Sequence, residues 1–271
     1  MQAKSQQLLL VAGAAALTIA LYLAPQKVKQ EKKTSGTEVS DFESQLNAAK
    51  SGLQRQEAAM ISALESQLDK ETGNLSLMDS LGGRWDAFRK PGIAAHYFEA
   101  HARQDESEKN WLNAAYRYFD AFQSTTDSAL QKEMVESAIR CYENVLRINP
   151  ENLDAKTDLG VCYAEGTSNP MQGIMMLREV VNKNPEHENA QFNLGVLSMR
   201  SGQYEKAAER FQRVLSINPK RKEMYLMAGR AYMLAGNMEK AAENFEKLKK
   251  ETADAALVAE ANNYINQLNK H

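Results

Sequence analysis

An Asn-Pro pair returns three times in this chain, at Asn149-Pro150, Asn184-Pro185 and Asn218-Pro219, 35 and then 34 residues apart. Each is soon followed by a pair of small or aliphatic residues, Leu159-Gly160, Leu194-Gly195 and Ala228-Gly229. Self-similarity at a fixed period constrains a fold more tightly than composition does. One repeat is a supersecondary unit that cannot bury its apolar face alone, so neighbours must stack. Proline cannot continue a helix, so each Asn-Pro marks a helix end. Strand signals are nearly absent, and the apolar positions between the prolines follow helical spacing. The chain reads as all-α.

Within each period a second punctuation appears. The segments SGQYEKA (201–207) and AGNMEKA (235–241) are one turn written twice, with Gly202 and Gly236 ending a helix so that another can begin. One unit holds Leu159, Gly160 and Tyr163 in its first helix and Gly173, Leu177 and Val180 in its second. The next holds Leu194, Gly195, Gly202, Tyr204, Ala207, Phe211 and Val214, and the third Tyr225, Ala228, Gly229, Tyr232, Gly236, Ala241, Phe245 and Leu248. These residues closely resemble the tetratricopeptide repeat, whose period is about 34 residues. The resemblance implies a right-handed superhelix of helix pairs, a TPR-type α-solenoid.

Upstream the pattern loosens. Trp111, Ala114, Ala115 and Tyr118 fit a first helix, and Val135, Ala138, Tyr142, Val145 and Pro150 its second, with QSTTDSALQKE (123–133) between them as a turn longer than the family's. Leu81, Gly82, Ala94, Tyr97 and Ala100 fit a diverged pair turning at RKPG (89–92). Downstream, Ala253 replaces the closing proline, and ALVAEANNYINQLNK (256–270) reads as a terminal cap. The expected organisation is an anchor at 1–25, a polar linker at 26–37, a long helix at 38–72, a diverged pair at 74–107, repeat units at 108–252 and a capping helix at 253–271.

The N-terminus is a separate object. The uncharged run from Leu8 to Ala24 has 17 residues. In a helix it would span roughly 25 Å against a hydrocarbon core of about 30 Å. A transmembrane anchor is expected, with a cleaved signal or a buried helix as the rivals; Tyr22 and Pro25 count against cleavage after Ala24. Lys27, Lys29, Lys32 and Lys33 follow the run, against Lys4 before it. The positive-inside rule then places the soluble part in the cytoplasm in slight preference to the periplasm. A bacterial inner membrane is the preferred setting. The lysines have two readings of equal weight, a stop-transfer flank or contact with anionic headgroups. In the long helix, Phe42, Leu46, Ala49, Leu53, Met60, Leu64 and Leu68 form a thin stripe interrupted by Gln56 and Glu57. That stripe fits a stalk packed on the chain or a coiled-coil seam. The seam would make a homo-oligomer through residues 38–72.

Several chemistries lack their residues. A net charge of −2 gives no basic footprint for nucleic acid. Cys141 and Cys162 lie in apolar helical stretches at no metal-ligand spacing, and read as buried free thiols in preference to a disulfide. In HYFEAH (96–101) the two histidines are i, i+5 and do not share a helix face. His96 and Glu99 have no second such pair with which to build a di-metal site. LGGRW (81–85) lacks the Lys-Ser/Thr of a phosphate loop. No enzyme, cofactor or metal is expected.

The resemblance also implies where partners bind, on first-helix positions facing a concave groove. Here these are Leu112, Tyr116 and Phe119; Thr157, Val161 and Ala164; Phe192, Val196 and Met199; and Leu226, Arg230 and Met233. This set is mostly apolar. Relatives that clamp a chaperone's C-terminal carboxylate use lysine, arginine and asparagine at some of these places. Thr157, Phe192 and Leu226 stand where lysines would, and only Asn193 is suggestive, which argues against such a clamp. Protein or peptide partners in an apolar groove are expected, on a non-enzymatic membrane-anchored scaffold. The alternatives are a structural subunit of a larger membrane complex, or a helper that holds unfolded clients such as apocytochrome c or secreted proteins.

Overall fold

The computed structural model describes residues 35–268, with side chains from residue 42. The apolar run from Leu8 to Ala24 and most of the polar linker lie outside the described residues. Backbone contacts divide the chain into two units, Met1–Gln45 and Leu46–His271. The first contributes only the start of helix α1 (Ser35–Ser51) to the described residues. Among the described residues no helix is long and apolar enough to cross a membrane.

The long helix expected over 38–72 is divided. α1 ends at Ser51, and α2 runs from Arg55 to Lys70. Tight i→i+3 bonds from the Gly52 and Leu53 amides to Ala49 and Lys50 close the first helix. The Glu57 carboxylate then accepts from the Gln54 amide at 3.1 Å and starts the second. Lys50 pairs with Glu65 across the break.

In the second unit, five helix pairs and a last helix follow. The pairs are α3 (Leu75–Ala87) with α4 (Pro91–Ala102), α5 (Glu108–Ser124) with α6 (Ser128–Ile148), α7 (Leu153–Gly166) with α8 (Pro170–Lys183), α9 (Glu188–Arg200) with α10 (Tyr204–Ile217), and α11 (Glu223–Leu234) with α12 (Met238–Glu251). Helix α13 (Ala255–Leu268) packs on α12, and α2 packs on α3. Every pair is joined by a three-residue turn, short enough to hold its helices antiparallel. The long turn expected at 123–133 is therefore helix except at 125–127. Asp127 caps α6 by accepting from the Ala129 and Leu130 amides, and the extra residues lengthen α5 and α6 to 17 and 21 residues.

Three pairs cross at one contact. A Cβ on Gly82 would meet the Phe98 ring at 2.7 Å, on Gly195 the Phe211 ring at 2.7 Å, and on Gly229 the Phe245 ring at 2.5 Å, each pair of partners 16 residues apart. The diverged pair α3/α4 thus crosses as the later ones do. α7 and α8 come closer still: a Cβ on Gly173 would lie 2.1 Å from the Gly160 carbonyl oxygen and 2.5 Å from the Ala164 nitrogen.

The asparagine before each repeated proline also has its reason. Asn149 Oδ1 accepts from the Glu151 amide, Asn184 Oδ1 from Glu186 and Asn218 Oδ1 from Lys220, at 3.0–3.2 Å. This is an Asx turn that carries the chain out of one helix pair. Asn149 and Asn218 each turn their Nδ2 back to a glutamate at the start of their own pair, Glu108 and Glu188, at 3.0 Å.

The turns after α3, α9 and α11 share one closure. Amides of Lys90, Gln203 and Asn237 bond the carbonyls of Trp85, Ser198 and Tyr232, each at 2.9 Å. The residue before each donor is left-handed: Gly202 at φ 72°, Gly236 at φ 79°, and Arg89 at φ 56°. A non-glycine side chain in that conformation costs about 1–2 kcal/mol. Arg89→Gly is expected to stabilise the protein by about 1 kcal/mol, and Gly236→Ala to destabilise it by a similar amount, read from urea midpoints. Gly173→Ala is expected to cost about 1–3 kcal/mol because its obstacle is backbone. Gly83→Ala, with nothing within 4 Å of its Cβ, should gain up to ~1 kcal/mol.

Candidate binding face

Phe119 of α5 packs on the core that holds Val161 of α7, α7 touches α9, α9 packs on the core that holds Leu226 of α11, and α11 touches the last helix α13, so their outward residues form one face. Val161 and Leu226 are buried at its base, 5% and 7% exposed. Leu112, Phe119, Val196, Met199 and Met233 are half-buried, and Arg230 and Tyr116 are exposed. Thr157 is buried, its hydroxyl donating to the Leu153 carbonyl. Phe192 is half-buried against Phe211, with ring centroids 6.2 Å apart. The Arg221 guanidinium lies 5.0 Å over the Phe192 ring and is held there by Glu188 and Glu223. Phe192, Val196, Met199 and Met233 pack on the core of the last pairs together with α13 residues Leu257, Tyr264 and Ile265. Much of this stripe therefore serves as seam between helices as well as surface.

The face has two halves of different character. Around α5 and α7 the aromatic rings sit among carboxylates. Tyr116 packs edge-on to Tyr142 at 6.2 Å, and Phe119 does the same at 6.4 Å. The Tyr142 hydroxyl donates to Asp158 at 3.2 Å. Burial pushes the Asp158 carboxyl up to about 6; the Tyr142 bond opposes this, and Asp154 and Asp120 add to it. Burial also raises the Tyr116 hydroxyl, with Asp158, Asp154 and Glu108 contributing, and raises Asp120, where Arg117 opposes and Asp86 adds. Around α9 to α13 the charges are basic: Arg200 pairs with Glu165 at 2.9 Å, and Arg230 lies 5.8 Å over Tyr264. The carboxylates were missed in the sequence, although Asp154 and Asp158 stand i, i+4 on one helix face beside Thr157 and Val161.

The histidine segment is accounted for by local bonds. Glu99 is buried, with one oxygen bound to Arg103 and the other to Tyr118, each at 2.7 Å. His101 Nδ1 lies 2.6 Å from Asp79. Cys141 and Cys162 are free and buried, and burial pushes both thiols far up. Among the described residues no three His, Cys, Asp or Glu side chains converge as metal ligands.

Known proteins agree on the architecture. Tetratricopeptide-repeat models match residues 164–220 and 198–261. A tetratricopeptide repeat-containing protein of Caenorhabditis elegans, trd-1, is 24% identical over 107 residues, which is 40% of this chain and 12% of that protein's length. The structure of MamA superposes with a TM-score of 0.52 at 18% identity, covering 65% of this chain and 91% of the other. MamA residues 41 to the end from Desulfovibrio magneticus RS-1 give 0.53 at 18% identity, covering 66% and 95%. At such identities the likeness is one of fold.

Asp158 supplies a pH test. Its proton is held to about pH 6 in the folded chain and lost near 4 in the unfolded one. Stability from this group is full below about pH 4 and is lost as pH rises through about 6. Asp158→Asn keeps an acceptor for Tyr142 and removes the confined charge. Discounted for partial solvent screening, it should add about 1–2 kcal/mol at pH 7 and flatten the slope of stability between about pH 4 and 6. Residues 164–261 match tetratricopeptide-repeat models, and the α3/α4 pair ahead of them is built around the same glycine-to-phenylalanine crossing.

Proposed function

We propose that this chain is a non-enzymatic scaffold that holds protein or peptide partners on its first-helix face, and that the apolar run from Leu8 to Ala24 anchors it in a bacterial inner membrane. The observation that carries the reading is the face itself. Tyr116 stands 37% exposed on it, among half-buried aromatic, aliphatic and methionine side chains. Tyrosine and methionine suit a contact surface: the first offers large rigid area with a polar end, the second adapts its shape. The acidic half, around Asp120, Asp154 and Asp158, would favour a partner segment carrying lysine or arginine. The fold supplies a frame for such contacts, since each pair packs on the next. The lysines that follow the apolar run slightly favour the cytoplasm over the periplasm for the soluble part.

The double variant Tyr116→Ser, Arg230→Ser tests the face at its exposed positions. The full chain and the variant are cross-linked in native membranes and recovered at equal amounts. Partners common to replicate preparations of the parent should fall by at least about 10-fold in the variant, which is about 1.4 kcal/mol of contact, with helicity by circular dichroism unchanged. An unchanged partner set would sink the assignment of this face. Alkaline extraction should leave the full chain in the membrane fraction and release one lacking residues 1–26; release of both would remove the anchor.

A further inference from the structure

Helices α8, α9 and α10 enclose a cleft of about 440 Å³. Its origin shows on moving one 34-residue period along the chain. Ala208 and Ala231 are fully buried where α10 meets α11. One period earlier the same positions are Ile174 and Leu197, larger and only half-buried. α8 accordingly packs on α9 more loosely than any other second helix packs on the first helix after it.

Four cations line this opening, Arg178, Lys206, Arg210 and Arg213, against one carboxylate, Glu209, in a chain whose net charge is −2. Their partners within the chain are mostly neutral. Arg210 donates to Gln191 Oε1 at 2.6 Å, and buried Gln191 is fixed by its own bond to the Pro185 carbonyl at 2.7 Å. Lys206 donates to Gln203 at 2.9 Å, and among the described residues only Arg213 of the four reaches a carboxylate, Glu186 at 3.6 Å. Arg178 makes no hydrogen bond or ion pair among the described residues, and burial together with the Arg178 charge lowers the pKa of Arg210. Like charges gathered in a half-closed site repel, and a bound anion would relieve that repulsion. Arg178 also borders a second hollow on α8 beside Met171 and Met175, which are 58% and 64% exposed.

We propose that the cleft between α8, α9 and α10, with the adjoining methionine ridge, docks an acidic amphipathic segment of a partner protein, its carboxylates on Arg178, Lys206 and Arg210 and its apolar side chains on Ile174, Leu197, Met171 and Met175. A free phosphate or other small anion would use the cations and leave the apolar floor and ridge bare, so the combination favours a peptide. The site is distinct from the first-helix face, which is basic and apolar in this part of the chain and lies on other residues.

The probe is a labelled 14-residue peptide of glutamates with leucines at helical i, i+3, i+4 spacing, beside a lysine-for-glutamate counterpart. Both are titrated by fluorescence anisotropy against the full chain in neutral detergent. The glutamate peptide should bind at least about 10-fold more tightly than the lysine peptide and weaken as salt is raised. Arg178→Glu with Lys206→Glu, both on exposed side chains, should remove that binding by at least about 10-fold while the melting temperature stays within about 2 °C. Equal binding of the two peptides, binding that survives the double variant, or no binding of the glutamate peptide at millimolar protein would each overturn the proposal. So would displacement of the glutamate peptide by equimolar pyrophosphate, which would make the cleft a small-anion site.

Discussion

Everything in this fold hangs on how closely two helices can approach within a pair. Where a glycine faces a phenylalanine, as Gly195 faces Phe211 and Gly229 faces Phe245, the ring lies flush against the opposing backbone and is fully buried. Truncating such a ring typically costs about 3–5 kcal/mol. The crossing also sets where each pair's remaining side chains point, and so which of them reach the next pair. The Asn-Pro turns then hand the chain from pair to pair at a nearly constant offset. The stack is a sum of such local events, with few contacts between residues far apart in sequence.

The stack must also end. At its C-terminal side α13 covers Phe245 by stacking Tyr264 on it, with ring centroids 5.0 Å apart and planes 9° from parallel. At the N-terminal side of the second unit α2 lays Ile61 against α3, where Trp85 and Leu81 are fully buried. Both covers are amphipathic helices whose outer surfaces are polar. An uncovered pair would present an apolar face to water.

The repeated prolines and glycines made the pairs legible before any coordinates, because each has a steric meaning that does not depend on its surroundings. The ends of α9 and α11 follow from Gly202 and Gly236. The end of α3 follows instead from the RKPG turn, where Pro91 starts α4; the left-handed position there is taken by Arg89, whose side chain resists it. The break after Ser51 was missed because the apolar stripe continues across it; the glycine at position 52 and the glutamine-to-glutamate spacing at 54 and 57 were the available signals. The helical extension of α5 and α6 was missed because Ser, Thr and Asp at 124–128 look like loop, whereas Asp127 is a cap. The sequence named first-helix positions without their depth. Val161 and Leu226 fall on the expected side but are closed over by neighbours. Whether a side chain on a repeat's face is surface or seam depends on the size of residues one period away, which a single motif does not carry.

The looser seat of α8 on α9 has a consequence for how the molecule comes apart. In a linear stack, cooperativity is transmitted only through nearest-neighbour interfaces, and a poorly filled one transmits less. Buried Val180, Val181, Ala190 and Leu194 join α8 to α9 in one core, while half-buried Ile174 and Leu197 leave part of that seam open. Coupling along the stack is therefore weaker at the α8–α9 seam than at the junctions between the pairs on either side of it.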